Sequence, residues 1–262
     1  MMYSEERRTK ILDSLNLTGR TDVCELAVSF HVSKETIRRD LHSLESEGRI
    51  LRTHGGAILP PTDSQTKETV EPPATVRTTQ NIAEKKAICK FAAGKIKNGD
   101  VIFVDNSTTC IYLYQYIPRD MQVTILTNSL SFLIECSKSL CPTHTVICLG
   151  GILKSTNLSV YGNVALQNAR QYFPNKAFIS CTGIISDSQI TDSGVQEIDI
   201  KRSLIATSQE VFLLADHTKF KPVGPVFLGG FSDIDYLITD IKSDFTYLNL
   251  TESFMRKILI TK

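Results

Sequence analysis

The chain has 262 residues, of which 42% are hydrophobic and 22% charged, and its formal net charge is +1. This composition is typical of a globular protein with one large domain or two modest ones, and it excludes a polybasic or acidic disordered tail as the main functional element. The N-terminal residues are charged and no apolar run approaches the roughly 18 residues of a membrane span, so we expect a cytoplasmic protein with no membrane partner.

Residues 1–57 carry three helical patterns followed by a short hairpin. The helices are predicted at about residues 4–17, at about 22–30, and from Ser33 to a stop at Gly48. The segment RILRTHGGAIL then predicts two short strands around a pair of glycines. Helix, turn, helix and wing is an arrangement that can place one helix in a major groove of DNA.

The third predicted helix has an apolar stripe and a polar face. Ile37, Leu41 and Leu44 recur at helical spacing and are predicted to face the core. Arg39 then points outward, where a guanidinium can pair with guanine, whereas Asp40 lies toward the core and is predicted to pair with an arginine. The candidate DNA-binding residues are Ser33, Lys34, Glu35, Thr36, Arg38, Arg39, His42, Ser43, Arg52 and His54.

The charge of this segment leaves an alternative open. Residues 1–57 hold nine Lys or Arg and nine Asp or Glu residues. The basic character of many DNA-binding domains is therefore missing. From the residues alone, the polar face of the helix is either a DNA-binding surface or an ordinary solvated one.

A change in composition separates this head from the rest of the chain. Two proline pairs bracket a polar stretch, which predicts a linker over residues 58–79. Residues 80–262 then alternate apolar strands with helices, which predicts an α/β domain with a parallel sheet covered by helices. The strands are predicted at 101–104, 123–126, 145–149, 177–181, 211–215 and 236–239, and helices at 82–96, 109–117, 129–139 and 198–208.

Polar loops follow five of the predicted strands, at the edge where open parallel sheets bind ligands. The loop Asn106–Thr109 precedes a predicted helix and is the best candidate to bind a phosphate, and Lys201 and Lys219 are candidate cations. For each Ser or Thr the alternative is simple N-capping, and for the two lysines it is solvent exposure. The candidate effector-binding residues are Asp105, Asn106, Ser107, Thr108, Thr109, Thr127, Asn128, Ser129, Gly150, Gly151, Lys201 and Lys219.

The seven cysteines include no CxxC pair, and no spaced histidines complete a zinc set. They are predicted to be reduced and buried, as is usual in a cytosolic protein. No metal site, cofactor or catalytic residue is predicted.

Two long segments resemble one protein family. The run VSKETIRRDLHSLESEGRILRTHGGA closely resembles the DNA-binding segment of the DeoR family of bacterial repressors. The rest of the chain resembles the sensor domain of that family. The segments that carry this second resemblance are Ile102–Thr109, Thr127–Leu130, Gly150-Gly151, Gly162, Lys201-Arg202 and Leu214–Phe220.

The resemblance implies a winged helix-turn-helix that binds double-stranded operator DNA. It also implies a sensor domain similar in fold to ribose-phosphate isomerase and glucosamine-phosphate deaminase, with a phosphorylated sugar as effector. The implied function is a transcriptional regulator, by default a repressor of a sugar-utilisation operon, with activation and co-repression left open. We expect a homo-oligomer, dimer or tetramer, because paired heads on a repeated operator multiply affinity.

Ser107 departs from the family pattern, which usually has glycine at this position. Glycine permits backbone conformations that serine restricts, so a differently shaped effector site and another ligand class are both open alternatives.

The rival function is an active phosphosugar isomerase or deaminase with a DNA-binding head. Such an enzyme needs a poised base, but the glycine-rich segments of those enzymes are absent around residues 182–194 and after Lys201. We therefore predict a sensor and not an enzyme, and an interaction module without a small ligand is a third possibility. The candidate bases are Asp105, Asp192, Glu197, Asp216 and His217.

Overall fold

The chain forms two compact units, residues 1–67 and 68–262. The computed structural model describes residues 4–18, 20–46, 49–52, 55–58, 74–221, 223–246, 248 and 250–261. The helices are α1 Ser4–Thr18, α2 Val23–Ser29, α3 Lys34–Ser46, α4 Ala74–Thr78, α5 Ile82–Ala93, α6 Leu130–Ser137, α7 Asn163–Ala169, α8 Ile198–Thr207 and α9 Glu252–Met255. Short 3-10 helices span Cys110–Tyr116, His217–Lys219 and Phe231–Asp233.

The strands belong to one large sheet and several small ones. They are β1 Arg20–Asp22, β2 Leu51–Arg52, β3 Gly56–Ile58, β4 Val101–Val104, β5 Val123–Thr127, β6 His144–Cys148, β7 Ile152–Lys154, β8 Ser159–Tyr161, β9 Lys176–Ile179, β10 Gly183–Ser186, β11 Gln189–Asp192, β12 Glu210–Leu214, β13 Val226–Gly229, β14 Tyr236–Asp240 and β15 Ile258–Thr261.

The first unit is a winged helix-turn-helix. Helices α1 to α3 surround a core in which Ile11, Leu15, Ile37, Leu41 and Leu44 have no exposed surface. The predicted hairpin β2–β3 is confirmed, and β1 extends it to an antiparallel sheet in the order β1-β3-β2. Strand β1 was not predicted because three residues are too few to show a period of two.

The second unit is built on a seven-stranded sheet in the order β15-β14-β12-β9-β4-β5-β6. Every neighbouring pair in it is parallel, which confirms the predicted α/β class. Side chains alternate across a strand. Ile102 and Val104 of β4 therefore pack in one apolar cluster with α5 and α6, while Phe103 packs in another with α7 and α8. Both faces of the sheet are thus covered by helices.

Some elements differ from the prediction. The edge strand β15 and the small antiparallel sheets β7–β8 and β10–β11–β13 were not predicted. The predicted helix at 109–117 is a 3-10 helix, and the end of the predicted linker is helix α4. Most of that linker lies outside the described residues, so its bounds stay a prediction. Within the described parts of the chain, no helix is long and apolar enough to cross a membrane.

The order of the sheet determines where a ligand site can form. From β4 the chain runs outward through β5 to β6, and then returns to place β9 on the other side of β4. The loops that leave the carboxyl ends of β4 and β9 therefore diverge. A crevice at such a topological switch point is the usual ligand site of open α/β sheets.

Candidate functional site

A polar cleft opens to solvent at the switch point between β4 and β9. Three predicted effector residues, Asn106, Ser107 and Lys201, line it. The complete lining is Arg77, Asn106, Ser107, Asn157, Ser180, Cys181, Thr182, Asp192, Ser193, Gly194, Glu197, Ile198 and Lys201.

The ammonium group of Lys201 joins two residues of the cleft lining, Ser180 and Asp192, to Asp105 outside it. Its Nζ atom lies 2.9 Å from Asp105 Oδ2 and 2.5 Å from Asp192 Oδ2, and it donates to the Ser180 carbonyl at 2.9 Å. Each of its three protons therefore has an acceptor within the protein. Lys201 holds the walls of the cleft together in this structure, and its direct contact with an effector stays a prediction.

The same contacts fix the charges of Lys201 and Asp192. Burial opposes ionisation of Lys201, but the charges of Asp105 and Asp192 outweigh it and raise the pKa of the lysine. Burial also opposes ionisation of Asp192, but the charge and hydrogen bond of Lys201 lower the pKa of that carboxyl overall. The pair is therefore ionised at neutral pH.

Glu197 attaches the β7–β8 hairpin to the cleft. Its buried carboxylate lies 2.6 Å from Lys154 Nζ and accepts a hydrogen bond from Ser159 Oγ at 2.6 Å. Asn106 and Asn157 donate to the same carboxylate at 3.2 and 3.4 Å. Since these donors come from the hairpin and from the loop after β4, Glu197 connects two walls of the cleft.

Ser107 occupies the usual glycine position without backbone strain. It accepts from Cys110 N through its hydroxyl at 3.0 Å and donates its own N–H to Asp105 Oδ1 at 3.0 Å. It is not among the described non-glycine residues with positive φ, which are His31, Asn81 and Leu158. The serine therefore adds a hydroxyl and a cap to the loop while keeping an ordinary backbone conformation.

Lys85 connects that loop to helix α4. This buried lysine donates to the Arg77 carbonyl at 2.5 Å and to Thr108 Oγ1 at 3.2 Å. Tyr112 adds a second contact, because its hydroxyl donates to the Thr78 carbonyl at 3.2 Å. Helix α4 is thus attached to the loop that carries Asn106 and Ser107.

The other predicted effector residues lie outside the lining of this cleft. Ser129 Oγ accepts from Phe132 N at 3.1 Å and caps α6, the alternative left open by the sequence, while Thr127 Oγ1 accepts from Ser129 N at 3.0 Å and closes the turn that precedes the helix. Gly151 has a φ of 114°, and a Cβ there would lie 2.4 Å from the Tyr161 carbonyl oxygen. The predicted residues outside the lining are Asp105, Thr108, Thr109, Thr127, Asn128, Ser129, Gly150, Gly151 and Lys219.

Arg77 and Ser180 line the cleft but were not predicted. The contacts of Lys201 and Glu197 involve three carboxylates and two ammonium groups, a net charge of −1. The guanidinium of Arg77 brings that local charge to zero and adds planar donors suited to an anion. Arg77 was missed because it fell in the predicted linker, and Ser180 because it fell inside the predicted strand 177–181, which in the structure ends at Ile179.

The outward face of α3 is exposed, as predicted. The side chains of Arg39, His42, Glu35 and Arg38 are 81%, 79%, 61% and 56% exposed. Arg39 Nε lies 3.9 Å from Glu35 Oε1, a surface contact of the kind that contributes little stability. The guanidinium of Arg39 is therefore accessible to a partner.

Several predicted DNA-binding residues have structural contacts. Ser33 Oγ accepts from Thr36 N at 3.1 Å, which confirms Ser33 as the N-cap of α3. Arg8 Nη1 donates to Ser43 Oγ at 2.7 Å, and Arg52 Nη1 donates to the Arg38 carbonyl at 3.4 Å. These contacts connect α3 to α1 and to the wing. Lys34 is exposed at the start of α3, and His54 lies outside the described residues.

The cysteines and candidate metal ligands support no metal site. Among the described residues, no group of three or more His, Cys, Asp and Glu could hold a metal ion. Five of the seven free cysteines are buried, whereas Cys24 and Cys148 are exposed. The prediction of buried cysteines was therefore wrong for Cys24, which lies on the surface of helix α2, and for Cys148, which lies on the edge strand β6.

Comparisons with known proteins agree with this architecture. Residues 7–63 match the model of the DeoR-like helix-turn-helix domain, and residues 80–241 match that of the DeoR C terminal sensor domain. The solved structures that are partly similar to this chain include ribose 5-phosphate isomerase A from Methanocaldococcus jannaschii, at 14% identity and a TM-score of 0.40, over 54% of this chain and 55% of that one.

Curated relatives match nearly the whole chain. The transcriptional regulator YulB of Bacillus subtilis, itself uncharacterized, is 37% identical over 91% of this chain and 90% of its own length. The transcriptional repressor GlcR of the same organism is 31% identical over 100% and 98%. The glycerol-3-phosphate regulon repressor of Escherichia coli is 30% identical over 91% and 92%. The chain therefore belongs to the DeoR family of transcriptional regulators, with a DNA-binding head and a sensor domain.

Proposed function

We propose that this regulator represses a sugar-utilisation operon and that a phosphorylated sugar or related metabolite, bound in the cleft, modulates its affinity for operator DNA. The observation that carries the proposal is the cleft itself, which combines Arg77 with polar loop residues at the switch point of the sheet. The similarity to the glycerol-3-phosphate regulon repressor of Escherichia coli supports the class of effector.

The two sides of the cleft suit two parts of such an effector. Arg77, Asn106 and Ser107 offer a guanidinium, an amide and a hydroxyl, the donors that an anionic phosphate needs. Asp192 and Glu197 offer carboxylate oxygens, which repel a phosphate but accept hydrogen bonds from sugar hydroxyls. We therefore place the phosphate beside Arg77 and the hydroxyls beside the carboxylates.

Helix α4 is our candidate for the element that transmits effector binding. It directly follows residues 59–73, through which the chain continues from the DNA-binding head. Arg77 on α4 faces the cleft lining, and Lys85 joins the carbonyl of Arg77 to Thr108. An anion that draws Arg77 toward Ser107 would bias the position of α4, and with it the population of heads that can bind operator DNA.

On the DNA side, we propose that the exposed face of α3 enters a major groove, with Arg39 on base edges and Arg38 and Lys34 on phosphates. The active form is a homo-oligomer, dimer or tetramer, in the cytoplasm. We propose that the sensor does not act as an enzyme, because the glycine-rich segments of the isomerases and deaminases are absent around residues 182–194 and after Lys201.

The test is a titration of the full chain with a fluorescent DNA duplex selected by the protein from a random library. Glycerol 3-phosphate, fructose 1-phosphate, fructose 6-phosphate, glucose 6-phosphate and ribose 5-phosphate are then added singly, with the unphosphorylated compounds as controls. We expect one phosphate ester to raise the melting temperature and change the Kd for DNA by about 5- to 150-fold. Failure of every ester to change either quantity would contradict the proposal, and turnover of an ester would favour an enzyme.

A further inference from the structure

Ser180 is the one residue in the cleft lining whose side chain is a buried polar group without a partner among the described residues. It is 2% exposed, and its Oγ atom is buried. A hydroxyl that is removed from water without a hydrogen bond costs free energy, and such groups in native proteins call for an explanation.

The main chain of Ser180 is fixed on both sides. Its N–H donates to Asp105 Oδ2 at 2.8 Å, and its carbonyl accepts from Lys201 at 2.9 Å. Lys201 in turn contacts Asp105 and Asp192. The side chain of Ser180, which lines the cleft, can therefore reorient only by rotation about its single χ1 bond.

We propose that Ser180 determines specificity for the sugar part of the effector, and that its hydroxyl acquires its hydrogen-bond partner only when a sugar hydroxyl is bound. This inference rests on the proposed function of the cleft. The carboxylates around Ser180 disfavour a phosphate there, so its partner is a neutral hydroxyl. The phosphate belongs at the other side of the cleft, beside Arg77.

This assignment predicts opposite effects of one substitution on stability and on binding. In the free protein, Ser180→Ala removes a hydroxyl that has no partner, so the melting temperature stays the same or rises by roughly 1–4 °C. In the complex, the same change leaves a sugar hydroxyl unpaired, so the affinity for the sugar phosphate falls about tenfold. An ordinary structural serine would lower the melting temperature instead.

Thr261 supplies a matched control. Its Oγ1 atom is also buried without a partner among the described residues, but it lies on strand β15 and outside the cleft lining. Thr261→Val should therefore leave or raise the melting temperature as Ser180→Ala does, while the affinity for the sugar phosphate remains that of wild type.

The experiment measures melting temperature and binding of the wild type and both variants by calorimetry. The probes are the five phosphate esters named above and inorganic phosphate. We expect Ser180→Ala to weaken the ester that wild type binds best by about tenfold, with inorganic phosphate changed less than about twofold. Three results would overturn the assignment of Ser180 while leaving the proposed function intact. The variant could bind the ester as tightly as wild type, it could lose as much affinity for inorganic phosphate as for the ester, or it could have a lower melting temperature than wild type. If wild type bound none of the esters, the proposed function would fall and the assignment with it.

Discussion

Asp40 and Arg7 form a buried two-point ion pair that joins helix α3 to helix α1. Arg7 Nε lies 2.5 Å from Asp40 Oδ2 and Arg7 Nη2 lies 3.1 Å from Asp40 Oδ1, with side-chain exposures of 9% and 7%. The sequence predicted that Asp40 pairs with an arginine, and the structure confirms it and identifies the partner. The pair orients α3 so that Arg39 points away from the core.

Loss of Asp40 should therefore destabilise the head strongly. Asp40→Ala leaves the charge of Arg7 buried beside an empty site, which costs about 3–5 kcal/mol. Urea denaturation followed by helical circular dichroism of the full chain measures the effect. Glu45→Ala, on the same helix, removes a carboxylate whose ion pair among the described residues is with the exposed His42, and it should cost less than about 1 kcal/mol. Equal unfolding midpoints for the two variants would show that the buried pair does not hold α3.

The exposed face of α3 leads to a prediction about DNA. Arg39→Ala should weaken binding to the selected duplex by about 1–3 kcal/mol while leaving the melting temperature unchanged, because its guanidinium makes only a 3.9 Å surface contact. Lys10→Ala removes an exposed positive charge from α1 and should weaken DNA binding less than Arg39→Ala does. Fluorescence anisotropy gives both affinities. If Lys10→Ala and Arg39→Ala weakened binding equally, Arg39 would contribute only general electrostatic attraction.

The sequence predicted elements whose pattern is local. Ile37, Leu41 and Leu44 recur within one helix, and each long strand of the parallel sheet is a continuous apolar run, so both were recognisable. Strand β15 pairs with β14, but its four residues follow only a short helix and lack the polar loop that marked the other strands. Strand β15 therefore forms because of its pairing with β14, which the local sequence does not show.

The residues of the cleft were harder to predict because their contacts join distant positions. Ser159 and Glu197 are 38 residues apart, and Asp105 and Ser180 are 75 apart. The close approach of the Tyr161 carbonyl gives Gly151 a structural requirement for glycine, and its contact with an effector stays a prediction. Strand ends indicate the edge at which a ligand binds, but the packing of loops selects which polar side chains reach it.

Arg77 should separate effector binding from DNA binding. Arg77→Ala removes the guanidinium from the cleft, so the affinity for the effective phosphate ester and for inorganic phosphate should fall by roughly 10- to 100-fold. DNA affinity without an effector should be unchanged, so the variant remains bound to DNA when the ester is added.

The matched control is Arg170→Ala, which removes an exposed arginine outside the cleft lining. It should respond to the ester as wild type does. A wild-type response from Arg77→Ala would exclude the guanidinium as the phosphate ligand.

The Lys201–Asp192 pair gives a prediction about pH. Asp192→Asn keeps the size of the side chain but removes its charge, and we expect it to cost about 1–3 kcal/mol in the free energy of unfolding at neutral pH. The folded protein lowers the pKa of Asp192 below its ordinary value of 3.8, so this stabilisation is present above that pH and is lost as the pH falls through the lower folded value. The pKa of Lys201 is raised above its ordinary 10.5, so the same stabilisation persists to that pH and declines only beyond it.

Urea denaturation of wild type and Asp192→Asn should thus show a constant difference in the free energy of unfolding between about pH 5 and about pH 9, and this difference should disappear in acid. A difference that grew as the pH fell below 5 would mean that Asp192 is protonated more readily in the folded protein than in the unfolded chain, opposite to the effect of its contact with Lys201.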